Sequence, residues 1–185
     1  MHKKTSAANF LPIRLHLEDN EWPLEFIDHD REIVRAIVFD DDGYFYFVRV
    51  DRDDEFGKAL LIETSGGGVE SGEDLSVAIL RELREELGIT EAEIVAEIGT
   101  VSDYYNQIHR HNINHYFLCR AAAFGENRLT QEEMDIYHLS TLRVTYEQAV
   151  KEYELRAETP LGRLLKNREL PVLQAAKRLL DAIDV

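Results

Sequence analysis

The chain of 185 residues carries 36 acidic and 21 basic side chains, a formal charge of −15, with 44 % hydrophobic and 31 % charged residues. That composition is globular and excludes a disordered or collagen-like chain. A surface this acidic repels phosphate backbones, so it excludes a general nucleic-acid binder and leaves small phosphorylated ligands approached through a divalent cation.

The single cysteine, Cys119, excludes an intrachain disulfide framework and a cysteine-based zinc finger. The start of the chain is too polar for a secretory signal, and no run of about 18 apolar residues is present to span a membrane. The expectation is a cytoplasmic protein with no membrane partner.

Residues 1–30, with Pro12, Trp22 and Pro23 in mixed company, read as an extended arm laid on a domain of residues 31–185. Residues 33–39 form an apolar run, 40–43 a turn and 44–50 its hairpin partner, and 59–63 is a short third strand. A glycine-rich loop over 64–73 leads into a helical period from Asp74 to Leu87, stopped by Gly88. Strands at 94–105 and 112–124 form a long antiparallel pair across the connection 107–111. A strand at 139–144 follows, then a helix through Tyr153 capped by Thr145, and a terminal amphipathic helix over 171–183. Strands first, a central helix, then a strand pair and late helices predict an α/β sandwich around a mixed sheet.

The helix over 74–87 holds the chemistry. Leu75, Ile79, Leu80, Leu83 and Leu87 cover one arc, expected to face the core. Glu82, Glu85 and Glu86 stand at i, i+3 and i+4 on a neighbouring arc, where like charges cost about 0.2–0.5 kcal/mol per pair. Clustered carboxylates beside a core suit hard cations such as Mg²⁺ or Mn²⁺. Gly66, Gly67 and Gly68 permit a close backbone approach, aiming a carbonyl at a cation or N–H groups at a phosphate. Glu73 and Arg81 lie two helical turns apart and are placed to clamp loop to helix. A glycine triplet alone is most often a turn, and a glutamate-rich run alone most often a solvated face. Their fixed register is what carries weight.

That register is Gly67, five residues, Glu73, seven residues, then R-E-L-R-E-E-L-G-I over 81–89. It resembles the signature of the Nudix hydrolases, G-x5-E-x7-R-E-U-x-E-E-x-G-U, at every defined position; Ser65 departs from the proline many members carry before the glycine pair. The resemblance implies a Nudix-type α/β/α sandwich with a loop–helix–loop catalytic motif. It also implies cleavage of a phosphoanhydride bond in a nucleoside diphosphate linked to another group, with Mg²⁺ or Mn²⁺ as cofactor. Carried over by position, Glu82 and Glu86 are implied metal ligands, Glu85 a further ligand or organiser of water, and the Gly66 carbonyl a main-chain ligand. Arg81 would orient Glu82, and Glu73 would brace it. The resemblance implies Glu82 as general base, or else Glu132 or Glu133 in a late acidic stretch that reads more readily as a capped helical turn or an exposed loop. A Nudix-fold nucleotide sensor without turnover is the alternative, disfavoured by the complete carboxylate set.

Elsewhere, Gly66, Gly67, Tyr105 and Arg110 are candidate substrate-binding residues, the tyrosine (with Tyr104 beside it) to stack on a base and the arginine to reach a phosphate. His109, His111 and His115 crowd a predicted hairpin and read as tip or face residues. Cys119 reads as a buried thiol. The expected partner is a small nucleotide derivative, and the arm and the terminal helix are candidate contacts for a homodimer.

Overall fold

Alternation of apolar and polar residues builds strands into much of the chain. The computed structural model describes residues 10–135 and 137–183, the side chains of Glu132 and Glu133 excepted. In chain order the elements are β1 (Ile13–Leu17), β2 (His29–Phe39), β3 (Phe45–Asp54), β4 (Gly57–Glu63), β5 (Ser65–Gly68), α1 (Leu75–Leu87), β6 (Ile89–Tyr105), a 3-10 turn (Asn106–Ile108) and β7 (Arg110–Phe124). Then come α2 (Gln131–Asp135), β8 (Ser140–Val144), α3 (Tyr146–Arg156) and α4 (Pro160–Ile183).

The strands form one mixed sheet in the order β1-β6-β7-β2-β3-β4, with β5 also on β2 and β8 also on β3. Two pairings are parallel, β1 with β6 and β2 with β7. The long β6–β7 pair is antiparallel, as expected, and carries several bulges. Because successive side chains point to opposite faces, β2 feeds two cores. Val34, Ala36 and Val38 pack with Ala78, Ile79 and Leu83 of α1, whereas Ile37 packs with Phe47, with Ala149 and Tyr153 of α3, and with Val172 and Leu173 of α4. The result is the expected α/β/α sandwich.

The sheet does not stay closed. β2 and β3 pair at two positions, Val38 with Tyr46 and Phe39 with Phe45, and then part. Beyond that point β2 takes β5 as its neighbour, Ile33 to Ala36 against Gly68 to Ser65, while β3 continues on β4. A cleft opens between them.

Three expectations need correction. The glycine loop is in part a strand, β5, which side-chain periodicity could not reveal in a run of glycines. Leu80 is 38 % exposed and lies outside the core, while Ala78 is fully buried; the buried arc of α1 is rotated so that Glu82 lies within it. The terminal helix begins at Pro160, not at residue 171, and carries Pro171 in its interior. An interior proline costs about 3 kcal/mol. The carbonyl it frees belongs to Asn167, an exposed residue, and buried Leu161, Leu164, Leu165, Arg168 and Glu169 hold the first half in place. β1 lies within the 1–30 arm, and β2 starts at His29, two residues before the expected boundary. Among the described residues no helix is long and apolar enough to cross a membrane.

Candidate active site

The glycine strand and the acidic helix are built for contact. A Cβ on Gly66 would stand 2.0 Å from the Val34 carbonyl oxygen, and one on Gly67 would stand 2.4 Å from Oε1 of Glu82. A side chain at Gly66 would run into backbone and one at Gly67 would displace the Glu82 carboxylate, so β5 lies flat between β2 and α1 and leaves its space to that carboxylate. The helix ends where expected, with Gly88 in the left-handed region at φ 66°.

Glu86 reaches back to the same strand. Its Oε2 accepts from the Ser65 hydroxyl at 2.7 Å and from the Gly66 N–H at 2.9 Å. Ser65, the departure from the family pattern, therefore supplies a hydrogen bond that proline could not. Burial pushes the Glu86 carboxyl up to about 8, and the Glu82 charge adds to the rise against the pull of Ser65 and Gly66. A carboxylate held that unfavourably is one a cation would stabilise.

Arg81 is the hub of the loop. Its Nε and Nη2 donate to the two oxygens of Glu73, both at 2.9 Å, and Nη2 also reaches the Gly68 carbonyl at 3.1 Å. Nη1 donates to Glu82 at 2.7 Å and to Glu85 at 3.3 Å. The Arg81 hydrogen bonds hold Glu73 down at about 2. This two-pronged geometry requires a guanidinium.

Among the described residues no three acidic, histidine or cysteine side chains stand close enough to hold a metal ion as they are. The structure brings Glu82 and Glu86 to the glycine strand but turns Glu85 to Arg81. The residues nevertheless fit a hard divalent cation. Every donor is an oxygen, Gly67 leaves room for the Glu82 carboxylate, and Glu86 is half-buried without a cationic hydrogen-bond partner.

The glycine strand lies at one end of the β2–β3 cleft, a cavity of about 340 Å³ lined by Gly66 and Glu86 together with Tyr105 and Arg110. Tyr105 is nearly buried: its ring lies 5.7 Å from Arg110 and 5.8 Å from Arg168, and its hydroxyl accepts from Arg168 at 2.8 Å. It is a wall of the cleft. Tyr104 stacks instead on His111 at 4.5 Å, away from this cavity. His111 bonds Ser102 and Asp30, His115 bonds Glu32, and His109 stacks on Phe26. Cys119 is fully buried, its thiol pushed up to about 12. The side chains of Glu132 and Glu133 lie outside the described residues.

Sequence reasoning missed the rest of the cleft. Arg31 and Arg35 come from β2, and Arg52 from β3 lies over the rings of Phe56 and Tyr137 at 5.1 and 5.4 Å. One signal was present: Arg35 interrupts an otherwise apolar run. Beneath the cleft, fully buried Glu169 accepts from the Thr64 N–H and hydroxyl at 2.9 Å each, from Tyr153 at 2.7 Å and from Arg168 at 2.8 Å. Arg168 in turn donates to Asp103 at 3.1 Å. This buried network fixes the residue that precedes β5.

A NUDIX domain model matches residues 29–165. No curated protein matches significantly in sequence. Among solved structures, a NUDIX hydrolase from Nitrosomonas europaea superposes with a TM-score of 0.57 at 17 % identity, covering 74 % of this chain and 86 % of its own. The ORF135 protein of E. coli superposes with 0.56 at 25 % identity over 87 % and 97 %. An ADP compounds hydrolase superposes with 0.55 at 16 % identity over 82 % and 73 %. With the domain match spanning most of its length, the chain belongs to the NUDIX domain family.

Proposed function

We propose that the chain is a divalent-metal-dependent hydrolase that cleaves a phosphoanhydride bond in a nucleoside diphosphate linked to another group. One observation carries the reading: Glu86 and Gly66 line a cleft that also carries four arginines and the rings of Phe56, Tyr105 and Tyr137, and the Glu82 carboxylate stands beside the next glycine, Gly67. Glu82, Glu86 and the Gly66 carbonyl would hold Mg²⁺ or Mn²⁺, with Glu85 joining once released from Arg81. When bound, such a cation neutralises the diphosphate and makes water acidic enough to attack phosphorus. Arg81, itself held by Glu73, donates to the Glu82 carboxylate beside the strand, and in this reading Glu82 accepts the proton of the attacking water. Phe56 and Tyr137, with Arg52 over both rings, offer a flat apolar surface for a base. The name of one fold neighbour, an ADP compounds hydrolase, falls in this substrate class. The reading places the protein in the cytoplasm, with a small nucleotide rather than nucleic acid or a membrane as its partner.

The test is a panel of nucleoside diphosphate derivatives with Mg²⁺ and Mn²⁺, scored for phosphate and nucleotide products, with Glu86→Gln as control. Turnover that vanishes in EDTA, returns with Mn²⁺ and falls at least about a hundredfold in the variant is expected. Nucleotide binding without turnover of any compound would favour the sensor alternative. An active Glu86→Gln enzyme would refute the assignment.

A further inference from the structure

The cleft holds more positive charge than its carboxylates neutralise. Arg52 is paired with Asp54, and Arg35 lies within 3.9 Å of Glu63 and 3.6 Å of Glu169. Arg31 and Arg110 have no carboxylate within ion-pair distance among the described residues. They come from neighbouring strands: β2 and β7 run parallel with His29 opposite Arg110 and Arg31 opposite Asn112. Side chains two apart share a face, so both arginines project from one side of the sheet. The Arg31 guanidinium covers Gly68, with Nη2 3.1 Å from where a Cβ would stand.

Two further groups there lack partners. Nε of Arg110 is buried without a hydrogen bond among the described residues, and so are both amide atoms of Asn112, a residue with no exposed surface. Burying such groups unpaired costs about 1–3 kcal/mol each. Burial and the charges of Arg31 and Arg35 also push the Arg110 guanidinium below its ordinary value. In a chain of charge −15, two adjacent arginines left without acids form a site that an anion would complete.

We propose that Arg31 and Arg110 form a phosphate subsite at the mouth of the cleft, distinct from the α1 carboxylates, which takes a phosphate of the substrate lying beyond the anhydride that is cleaved. The ladder supplies the separation. Gly66 pairs with Arg35, four residues along β2 from Arg31 and six from the partner of Arg110. At about 3.3 Å per residue, their Cα positions lie roughly 13 and 20 Å along the strand from the glycine carbonyl. The preferred substrate therefore carries an anionic rather than a neutral group beyond the diphosphate. This rests on the cleft being the substrate site of the proposed hydrolase.

Two measurements separate the subsite from that reading. In the first, inorganic tripolyphosphate is titrated calorimetrically into the full chain in EDTA. Binding is expected, weakened about tenfold by Arg31→Gln and by Arg110→Gln, largely retained in Arg110→Lys, and unchanged in Arg178→Gln, an exposed control on α4. In the second, kcat/KM with Mn²⁺ is compared for ATP and ADP-glucose, which place a phosphate and a neutral hexose beyond the same ADP. ATP is expected to be favoured, and Arg110→Gln to erase the preference through KM with kcat little changed. Tripolyphosphate binding that is absent or indifferent to both arginines overturns the subsite, as does a preference that survives their removal. Arginine-dependent binding without turnover of any nucleotide keeps the subsite and removes the hydrolase.

Discussion

Replacing Glu169 with Gln tests whether the buried network beneath the cleft sets the site above it. The change keeps the shape but replaces one carboxylate oxygen by an NH₂ group. Both oxygens now face donors: Thr64 N–H and Tyr153 on one, the Thr64 hydroxyl and Arg168 on the other. Whichever way the amide turns, its NH₂ faces one group that can only donate, the Thr64 N–H or the Arg168 guanidinium, and Arg168 and Arg35 lose a buried counter-charge. Removing one partner of a buried ion pair costs about 3–5 kcal/mol. For a chain of this size each kcal/mol shifts Tm by about 2–4 °C, so a fall of roughly 6–20 °C is expected in calorimetry. Thr64 precedes Ser65 and Gly66, so turnover should fall as well. The pH dependence has a definite sign. Burial pushes Glu169 up, but Arg168, Arg35 and the hydrogen bonds hold it below its ordinary value. Its stabilisation is thus present above about pH 4.5 and is lost as pH falls through the lower folded value. The wild-type advantage over the variant should shrink with acidification below pH 4.5. A Tm within about 3 °C of wild type at pH 7 would refute the reasoning.

Glu86→Gln should leave Tm unchanged or raised in the metal-free protein, because it removes a carboxylate that burial holds near 8; a clear loss of Tm would contradict that. Metal uptake at pH 7 should release a proton from the same group, read as a dependence of the calorimetric heat on buffer ionisation enthalpy; the release should fade above pH 9. Gly67→Ala should fold yet lose most activity, since its Cβ would meet the Glu82 carboxylate; wild-type kcat/KM in this variant would sink the packing argument.

Helix α1 was legible because its 3.6-residue period, its glycine stop and the register of Gly67, Glu73 and 81–89 all agree. The β6–β7 pair was legible from its long alternating runs. Leu80 misled because helical geometry alone does not reveal that carboxylates take core-facing positions; Glu82 does so where Gly67 leaves the space. The first half of α4 was hidden by Pro171, which reads as a start, and by Arg168 and Glu169, which read as surface charge until Asp103 and Thr64 are brought to them across the fold. Arg110 was legible as a candidate phosphate contact, but its partners Arg31, Arg35 and Arg52 were hidden for the same reason. Arg31 and Arg110 lie far apart in sequence and become neighbours through the parallel pairing of β2 with β7.

The reach of α4 beyond the signature helix has a practical meaning for anyone trimming the gene. A fragment cut to residues 29–165, the span the domain model recognises, would sever the helix three residues short of Arg168 and strand Asp103 and Thr64 without their counterparts. Such a fragment should express as an aggregating or unfolded polypeptide, although it contains every residue of the signature.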